Sequence, residues 1–538
     1  MVAFHRCPNR PDYLDFNTVQ IQVFRTSHTP EQAPDAEPGP TFKAFNISVP
    51  VDHFQDNPQY APHSNATFQL RYWYDAQYYK PGGPVILLAS GETGGEDRFP
   101  YLQKGIAHQL AKATNGVGVI LEHRYYGKSF PTSDLTTESL RFLTTEQSLA
   151  DTAFFAKNVV FEGLENSDLT AKSTPWIAYG GSYAGGYVAF LRTLYPDVFW
   201  GAISSSGVTE AIIDYWQYWE PIRIYGPPAC IEATQEFVRF EDAILTGKNH
   251  SLIQSLKSTF GLSNITDDTD FASALVTYGI GGWQGRNWDP EVNDPTFSEY
   301  CGNITSDKLL YSWTISLEPA LVDLIEASGE TDFSSNFTTH LLNLVGYANG
   351  TLVISCLESN STLDKCYGTH NSTYYHQTDI KQQWRSWAYQ YCTQWGYFQT
   401  GSGIPEYIPA IVSRTIDVEY SSIICREAFN ITSPPDVEAI NKYGGFDISY
   451  PHLAFIDGEQ DPWRWAGVHA PRARPRLSTW KRPFILIEGA VHHWDENGLF
   501  PNETTNALPP APVKEAQETE TAFVKRWLKG MTALLGAL

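Results

Sequence analysis

The sequence predicts an α/β protein with a mostly parallel sheet that helices cover on both faces, interrupted by a long and mostly helical insertion. Short apolar runs, typical of buried strands, alternate with helical segments up to about residue 207. Strand-like runs then become scarce until about residue 440, where the alternation returns. We therefore expect an N-terminal extension over 1–41, a sheet domain in two parts over 42–207 and 441–538, and a helical cap over 208–440.

The individual elements follow from local patterns. Residues 27–41 contain four prolines and no apolar periodicity, which predicts an exposed linker. Strands are predicted over 67–74, 84–89, 116–122, 176–179, 202–204, 453–456 and 484–487. Helices are predicted after Thr144, over 184–194 and over 513–531, the last with Phe523, Trp527 and Met531 on one stripe.

Charge and composition exclude several classes of protein. The chain has 37 basic and 60 acidic residues, a formal net charge of −23. Such a field repels phosphate, so we expect no nucleic-acid partner and no binding to an anionic membrane. With 42% apolar and only 18% charged residues the chain can bury a large core. The sequence contains no run of about 18 apolar residues, so we expect no membrane span.

Asparagine and cysteine usage indicates a secreted, or a lysosomal or vacuolar, glycoprotein. Of 23 asparagines, 11 lie in Asn-X-Ser/Thr sequons, where chance would place roughly three. The six cysteines after Cys7 could form three disulfides, and Cys356–Cys366 is the most local pair. Cys7 would then be the odd thiol. The first residues show no apolar segment, so no signal peptide is visible in this chain.

The main chemical signal is Gly180-Gly181-Ser182 between a predicted strand and a predicted helix. This is the context of a nucleophile elbow, in which small neighbours permit a strained turn that exposes the serine hydroxyl. The pattern is G-x-S-x-A, with Ala184 in place of the second glycine. The alternative is a glycine-rich turn without chemistry.

A serine nucleophile needs a base and a group that orients the base, and two later strand ends supply both. The strand over 453–456 is followed by Asp457 and Asp461, and the strand over 484–487 is followed by His492 and His493. This is the Ser, acid, His order of the α/β-hydrolases. The residues alone do not decide between the two histidines.

Several motifs, taken together, resemble the family of lysosomal prolyl carboxypeptidase, dipeptidyl peptidase II, thymus-specific serine protease and the fungal secreted proline-specific peptidases. They extend from residue 51 to about residue 500 and so cover nearly the whole chain. The matching segments are V-D-H-F at 51–54, L-E-H-R-Y-Y-G-K-S at 121–129, G-G-S-Y-A-G at 180–185, W-A-Y-Q-Y-C-T at 387–393, D-P-W at 461–463 and 489–495.

This resemblance implies an α/β-hydrolase fold with a helical cap, and cleavage after proline through a triad of Ser182, Asp461 and His492. The backbone N–H of Tyr183 is expected to be one oxyanion donor, because it follows the nucleophile. The loop 90–95 is expected to supply the second, with Gly91 as the candidate.

Three further residues are candidates for substrate binding. Trp463 is a candidate wall of the proline pocket, with ordinary core packing as the alternative. Gly186 stands where the carboxypeptidase relative has a bulky residue, so we expect a roomier pocket. Glu92 could anchor a substrate amine, although an exposed loop position is the alternative.

The chain departs from the family pattern at two other positions. Val491 is an extra residue before the histidine pair, so the motif does not decide whether His492 or His493 is the base. Gln394 stands where relatives often have Glu. Glu122, His123 and Arg124 are expected to form a structural cluster behind the elbow.

The chain has no metal-binding motif, so we expect no cofactor, and peptides or proteins are the expected substrates. A carboxylesterase or lipase, and an inactive hydrolase-fold binding glycoprotein, are the alternatives. The choices between exo- and endopeptidase and between carboxy- and aminopeptidase stay open, as does the oligomeric state, with a homodimer as one option.

Overall fold

The computed structural model describes residues 41–535, with side chains described as far as residue 530. Cys7, the predicted linker as far as residue 40 and the side chain of Met531 therefore lie outside the described part.

The core of the protein is an eight-stranded sheet with the order β1-β2-β4-β3-β5-β6-β9-β10. The first two pairings, β1 with β2 and β2 with β4, are antiparallel, and all the others are parallel. A separate two-stranded sheet pairs β7 with β8. The strands are β1 Phe45–Pro50, β2 Thr67–Asp75, β3 Val85–Ala89, β4 Val117–Leu121, β5 Trp176–Gly181, β6 Gly201–Ser205, β7 Ile212–Asp214, β8 Gly396–Phe398, β9 Leu453–Gly458 and β10 Phe484–Ile487.

The strands that the sequence predicts best are those whose residues are buried. Every residue of β3, β4, β5, β6 and β9 is buried, as expected for parallel strands covered on both faces, and each reads as a short run of mostly apolar and small residues. By contrast, β1 is an edge strand with only one buried residue. Its sequence, FNISVP, has no apolar run, and the strand was not predicted.

Helices cover both faces of this sheet, which confirms the predicted fold class. On one face lie helix α2, Ile106–Thr114, and helix α20, Ala511–Leu535, which contribute Leu110 and Trp527 to a buried apolar cluster. On the other face lie helix α3, Thr145–Asn158, and helix α4, Tyr183–Leu194, which contribute Phe155 and Val188 to a larger cluster that continues into the insertion. Thr144 caps α3 by accepting a hydrogen bond from the Gln147 N–H.

Between β6 and β9 the chain is mostly helical, as predicted for the cap. The described α-helices of the whole chain are α1 Phe99–Gln103, α2 Ile106–Thr114, α3 Thr145–Asn158, α4 Tyr183–Leu194, α5 Glu220–Tyr225, α6 Pro228–Thr246, α7 His250–Thr259, α8 Asp268–Leu275, α9 Thr277–Ile280, α10 Thr296–Ile304, α11 Glu318–Ser328, α12 Phe337–Ala348, α13 Ser355–Glu358, α14 Leu363–Tyr367, α15 Ser372–Tyr375, α16 Trp384–Gln390, α17 Val418–Ser421, α18 Ile423–Phe429, α19 Glu438–Asn441 and α20 Ala511–Leu535.

Three disulfides cross-link the cap: Cys230–Cys301, Cys356–Cys366 and Cys392–Cys425. The predicted local pair, Cys356–Cys366, is among them. One continuous helical stretch of the cap, Phe337–Glu358, is long and apolar enough to cross a membrane by length and composition. Because 61% of an 18-residue window within it is buried inside the protein, we interpret it as a core helix of the cap.

All 11 sequon asparagines are at least partly accessible. Eight are exposed, and Asn303, Asn349 and Asn371 are intermediate. A glycan attached to an asparagine must project into solvent, so the surface placement agrees with the predicted glycoprotein.

Candidate active site

Ser182 lies at the carboxyl end of β5 and directly before α4, as predicted for a nucleophile elbow. Its backbone adopts φ 59° and ψ −125°, a conformation that costs a non-glycine residue energy. The Ser182 N–H donates to the Ser205 carbonyl oxygen at 2.9 Å, which ties the turn to the neighbouring strand β6. The strained turn holds the hydroxyl at the helix N-terminus, where helix N–H groups lack intrahelical partners.

The glycines around this serine are required by close backbone packing. A Cβ at Gly180 would lie 2.2 Å from the Ala184 carbonyl oxygen, and one at Gly186 would lie 1.9 Å from the Val208 carbonyl oxygen. The prediction that Gly186 widens a substrate pocket is therefore wrong. It is glycine because α4 packs against the backbone that follows β6.

His492 and Asp461 form a buried pair. The His492 Nδ1 atom lies 3.0 and 2.9 Å from the two carboxylate oxygens of Asp461, and Asp461 is fully buried. The Asp461 Oδ1 atom also accepts from the Trp463 N–H at 2.9 Å, at the start of a 3₁₀-helix, Pro462–Ala466. With the Nδ1 proton directed at the carboxylate, Nε2 of a neutral His492 is left as the proton acceptor.

The neighbouring candidates have other partners. Asp457 accepts from His469 Nδ1 at 2.6 Å, and His493 Nδ1 pairs with Glu496 Oε2 at 3.0 Å. The geometry thus separates the residues that the sequence left as alternatives: only His492 and Asp461 are paired with each other.

A residue that the sequence analysis missed joins these parts of the site. Ser206 follows β6 with φ 46°, and its hydroxyl accepts from the His493 N–H at 2.8 Å and bonds to Asp461. The histidine loop also reaches the elbow, because a Cβ at Gly181 would lie 2.9 Å from Glu496 Oε2. The only available signal was the polar run Ser204-Ser205-Ser206 at a strand end.

Burial and neighbouring charges shift the pKa values of three groups in the site. Burial lowers the pKa of His492; Asp461 opposes this shift and the adjacent His493 adds to it. Burial likewise opposes ionisation of His493, but the hydrogen bond and charge of Glu496 raise its pKa overall. Burial would raise the pKa of Asp461, yet the charge of His492 and hydrogen bonds, including that of Ser206, hold it below its usual range.

The loop after β3 lies against the start of α4. A Cβ at Gly91, which has φ 70°, would lie 3.3 Å from the Ala184 Cβ. The Glu122 carboxylate fixes this loop by accepting from the Gly95 N–H at 3.0 Å while pairing with Arg71. Gly91 therefore lies beside the first turn of α4, close to Ala184, the residue after Tyr183.

Glu92, the candidate anchor for a substrate amine, directly follows Gly91 in this loop. Its side chain is half-buried, and the Oε2 atom is shielded from solvent. The expectation of an exposed loop glutamate is therefore wrong.

The predicted structural cluster behind the elbow is present. Arg124 pairs with buried Asp151 at 2.6 and 2.7 Å, and His123 Nε2 lies 3.0 Å from the Tyr183 hydroxyl oxygen. Burial lowers the pKa of His123 to about 4, so it is neutral there. These residues support the turn and make no contact with the Asp461–His492 pair.

The W-A-Y-Q-Y-C-T segment of the cap packs on the same tyrosine. The ring of Tyr183 makes edge contacts with Trp387 and Trp395, at centroid distances of 5.4 and 5.2 Å, and Gln390 Nε2 donates to its hydroxyl at 3.0 Å. Gln394, the position where relatives often have Glu, accepts from the Thr145 N–H at 3.1 Å through its side-chain oxygen and so links the cap to α3.

Trp463 is 1% exposed and lies in an aromatic cluster contributed mostly by the cap. It stacks on Tyr215 at 5.3 Å and makes edge contacts with Tyr218 and Tyr397 at 5.5 and 5.1 Å. Its indole N–H donates to Gln284 Oε1 at 2.7 Å. Tyr215, Tyr218 and Tyr397 are at most 2% exposed as well, so Trp463 packs in the core beside Asp461, which agrees with core packing, the alternative to a pocket wall.

The fold and this site have the arrangement of an α/β-hydrolase, with a serine in a strained turn at the carboxyl edge of a parallel sheet, beneath a helical cap. The chain belongs to the family described as Serine carboxypeptidase S28, which matches residues 50–508. The family predicted from the motifs is thereby confirmed, and the protein is a serine-type peptidase. This sets aside the esterase and inactive-glycoprotein alternatives.

Curated relatives agree with this assignment. The chain is 55% identical over 489 residues to a "Probable extracellular serine carboxypeptidase" of Arthroderma benhamiae, which covers 91% of this chain and 68% of the relative. It is 29% identical to "Serine protease vicPa" of Bipolaris victoriae, covering 87% and 88%, and 26% identical to "Lysosomal Pro-X carboxypeptidase" of Pongo abelii, covering 89% and 87%. Extracellular and lysosomal relatives confirm the predicted secreted or lysosomal class.

Proposed function

We propose that this protein is a carboxypeptidase that hydrolyses the peptide bond after proline, with Ser182, His492 and Asp461 as its catalytic triad. The observation that carries the proposal is the buried His492–Asp461 pair, at the same sheet edge as a serine held in a strained turn. The names of relatives at 55% and 26% identity, an extracellular serine carboxypeptidase and a lysosomal Pro-X carboxypeptidase, support the specificity.

In the proposed mechanism His492 Nε2 takes the hydroxyl proton of Ser182 as the oxygen attacks the prolyl carbonyl carbon. Asp461 keeps the other ring proton on Nδ1 and stabilises the imidazolium that forms. The N–H groups of Tyr183 and Gly91 hold the oxyanion, and such a donor is worth roughly 3 kcal/mol of barrier. His492 then protonates the leaving amine, and water releases the prolyl product from Ser182.

Recognition of proline does not come from the rings around Trp463, which are at most 2% exposed. A prolyl residue has a compact apolar ring and, within a chain, no N–H to bond, so it must be recognised by shape and apolar contact. Alanine at the same position should be cleaved more slowly without being excluded, because each methylene in an apolar pocket is worth only about 1–3 kcal/mol.

The proposal is tested with peptides that differ only at the residue before the C-terminal one. Products are identified by mass over a range of pH, with Ser182→Ala as the control for contaminating peptidases. We expect release of a single C-terminal residue after proline, more slowly after alanine. Faster cleavage after arginine or phenylalanine would refute the specificity, and cleavage by Ser182→Ala would refute the nucleophile.

A further inference from the structure

The loop that carries His492, residues 488–497, follows β10 and lies against the end of the strand that leads to the nucleophile. A Cβ at Gly181, the residue before Ser182, would lie only 2.9 Å from Glu496 Oε2. His492 and Ser182 are far apart in the chain, so the distance between them depends on the contacts that fix this histidine loop to the sheet.

The side chain of Asp495 makes two of these contacts. Its Oδ2 atom accepts from the Tyr179 hydroxyl at 2.6 Å, and its Oδ1 atom accepts from the Ser205 hydroxyl at 2.6 Å. Tyr179 lies on β5, three residues before Ser182, and Ser205 is the last residue of β6, where it pairs with Gly181. Asp495 therefore connects the histidine loop to the strand that ends at the nucleophile and to the neighbouring strand.

The main chain of the same loop is held from two other directions. Gln517 of α20 donates through Nε2 to the carbonyl oxygens of Asp495 and Asn497, at 2.8 and 2.6 Å. The indole N–H of Trp288, in the cap, donates to the Trp494 carbonyl oxygen at 2.9 Å. These bonds do not involve the Asp495 carboxyl group. Removing that group should therefore leave the loop attached to α20 and the cap while releasing it from β5 and β6.

A carboxyl group is a costly choice for stability at this position. Asp495 is 1% exposed, and Tyr179 and Ser205 are fully buried. Burial raises the pKa of Asp495 to about 6, which the hydrogen bonds from Ser205 and Tyr179 only partly offset and to which the charge of Glu496 adds. Apolar residues of similar volume often replace buried charged groups without loss of stability. Both bonds can form in either protonation state, because a hydroxyl can donate or accept.

We propose that Asp495 is a positioning residue for the reaction, because its bonds to Tyr179 and Ser205 hold His492 at the distance from Ser182 that proton transfer requires. Asp495 acts through His492 and does not take part in the chemical steps. This inference rests on the proposed function, in which His492 is the base. A displacement of about 1 Å in reacting groups can lower a rate by about 100-fold, and substrate binding need not change.

The experiment compares Asp495→Ala, Asp495→Asn, Tyr179→Phe, Ser205→Ala and the double variant that combines Tyr179→Phe with Asp495→Ala. The values of kcat and KM are measured on a peptide with proline before its last residue. The rate at which a fluorophosphonate labels the nucleophile is measured separately, and thermal unfolding reports the fold. The matched control is Tyr420→Phe. Tyr420 donates to buried Asp270 in the cap at 2.8 Å, so the control removes the same kind of bond away from the histidine loop.

We expect Asp495→Ala to lower kcat and the labelling rate by about 100-fold, with KM changed by less than about threefold. Asp495→Asn should retain most of the native kcat, because the amide has the same shape and can bond to both hydroxyls. Tyr179→Phe and Ser205→Ala should each lower kcat by less than Asp495→Ala does. Tyr179→Phe should have little further effect in the Asp495→Ala variant, which has already lost that bond. Tyr420→Phe should leave kcat unchanged.

The inference is overturned if folded Asp495→Ala keeps the native kcat and labelling rate, or if its only defect is a higher KM. It is also overturned if Asp495→Asn is as slow as Asp495→Ala, or if Tyr179→Phe lowers kcat by the same factor with and without the Asp495 carboxyl group. Should Asp495→Ala fail to fold, Tyr179→Phe and Ser205→Ala decide, and native kcat in both would overturn the inference.

The labelling rate separates this inference from the proposed function. An enzyme that does not cleave after proline would refute the proposed specificity, and the labelling rates of the variants would still test the role of Asp495. A native enzyme that the fluorophosphonate does not label would refute the proposed nucleophile and this inference with it.

Discussion

Replacing Asp461 with Asn should abolish most activity while preserving the fold. The amide has the same shape, and its oxygen can still accept from the Trp463 N–H at the position of Oδ1. Its NH₂ group, however, would then face His492 Nδ1, which now lies 2.9 Å from Oδ2. To accept from that NH₂, Nδ1 must lose its proton, and the ring proton moves to Nε2. His492 would then present an N–H to Ser182 and could not act as a base.

The expected size of the loss follows from this tautomer change. In triad enzymes the wrong tautomer lowers kcat by about 10⁴-fold, which corresponds to about 5 kcal/mol of barrier at 1.36 kcal/mol per factor of ten. The matched control is Asp457→Asn. Asp457 is also buried and bonded to a histidine, but its partner is His469. We expect the control to lose less than tenfold.

The measurement is kcat/KM on a peptide with proline before its last residue, with thermal unfolding monitored for both variants. The reasoning is refuted if folded Asp461→Asn retains more than a tenth of the native activity. It is also refuted if folded Asp457→Asn is the more damaged of the two, because the acid would then be assigned to the wrong residue.

Three further outcomes are expected. Ser182→Ala should lower kcat about 10⁶-fold without changing the melting temperature appreciably, and a fluorophosphonate probe should label only the native enzyme. His492→Ala should lower activity far more than His493→Gln. The His493→Gln change removes a positive charge that lowers the pKa of His492, so the acid limb of the kcat/KM profile of this variant should move to higher pH. An unchanged acid limb would contradict this coupling. Buried Glu241 has no hydrogen-bond partner for either carboxyl oxygen, and burial raises its pKa well above the unfolded value of about 4.3. The folded state therefore binds more protons, so its contribution to stability is full below about pH 4 and is lost as the pH rises towards the folded pKa. Thermal unfolding from pH 4 to 8 should show a smaller loss for Glu241→Gln than for the native protein.

Local sequence determined much of the sheet and the elbow. Strands such as β3, β4 and β9 are buried on both faces, so their apolar runs identify them without knowledge of their neighbours. The Gly-Gly-Ser turn is equally local, because its strain is set by residues adjacent in the chain. The edge strand β1 escaped detection since only one of its residues is buried.

The sequence also supplied two candidates for each of the other two positions of the proposed triad but could not choose between them. Asp457 and Asp461 both follow β9, and His492 and His493 are adjacent, so the chain order fits either member of each pair. The choice depends on which side chains point towards each other across two loops. That orientation comes from contacts such as the one between Ser206 and the His493 N–H, 287 positions apart in the chain.

The sequence by itself determined the fold class, the family, the position of the glycine-rich serine turn and the sequons, because each depends on composition or on residues close together in the chain. Only the tertiary structure decided the pairing of His492 with Asp461, the packing role of Gly186 and the burial of the Glu92 carboxyl. Each of these depends on the distance between segments that β5, β6, β9 and the loop after β3 bring to one edge of the sheet. A pattern along the chain shows which chemical groups are present. Packing determines which of these groups come into contact and how far water is excluded from them.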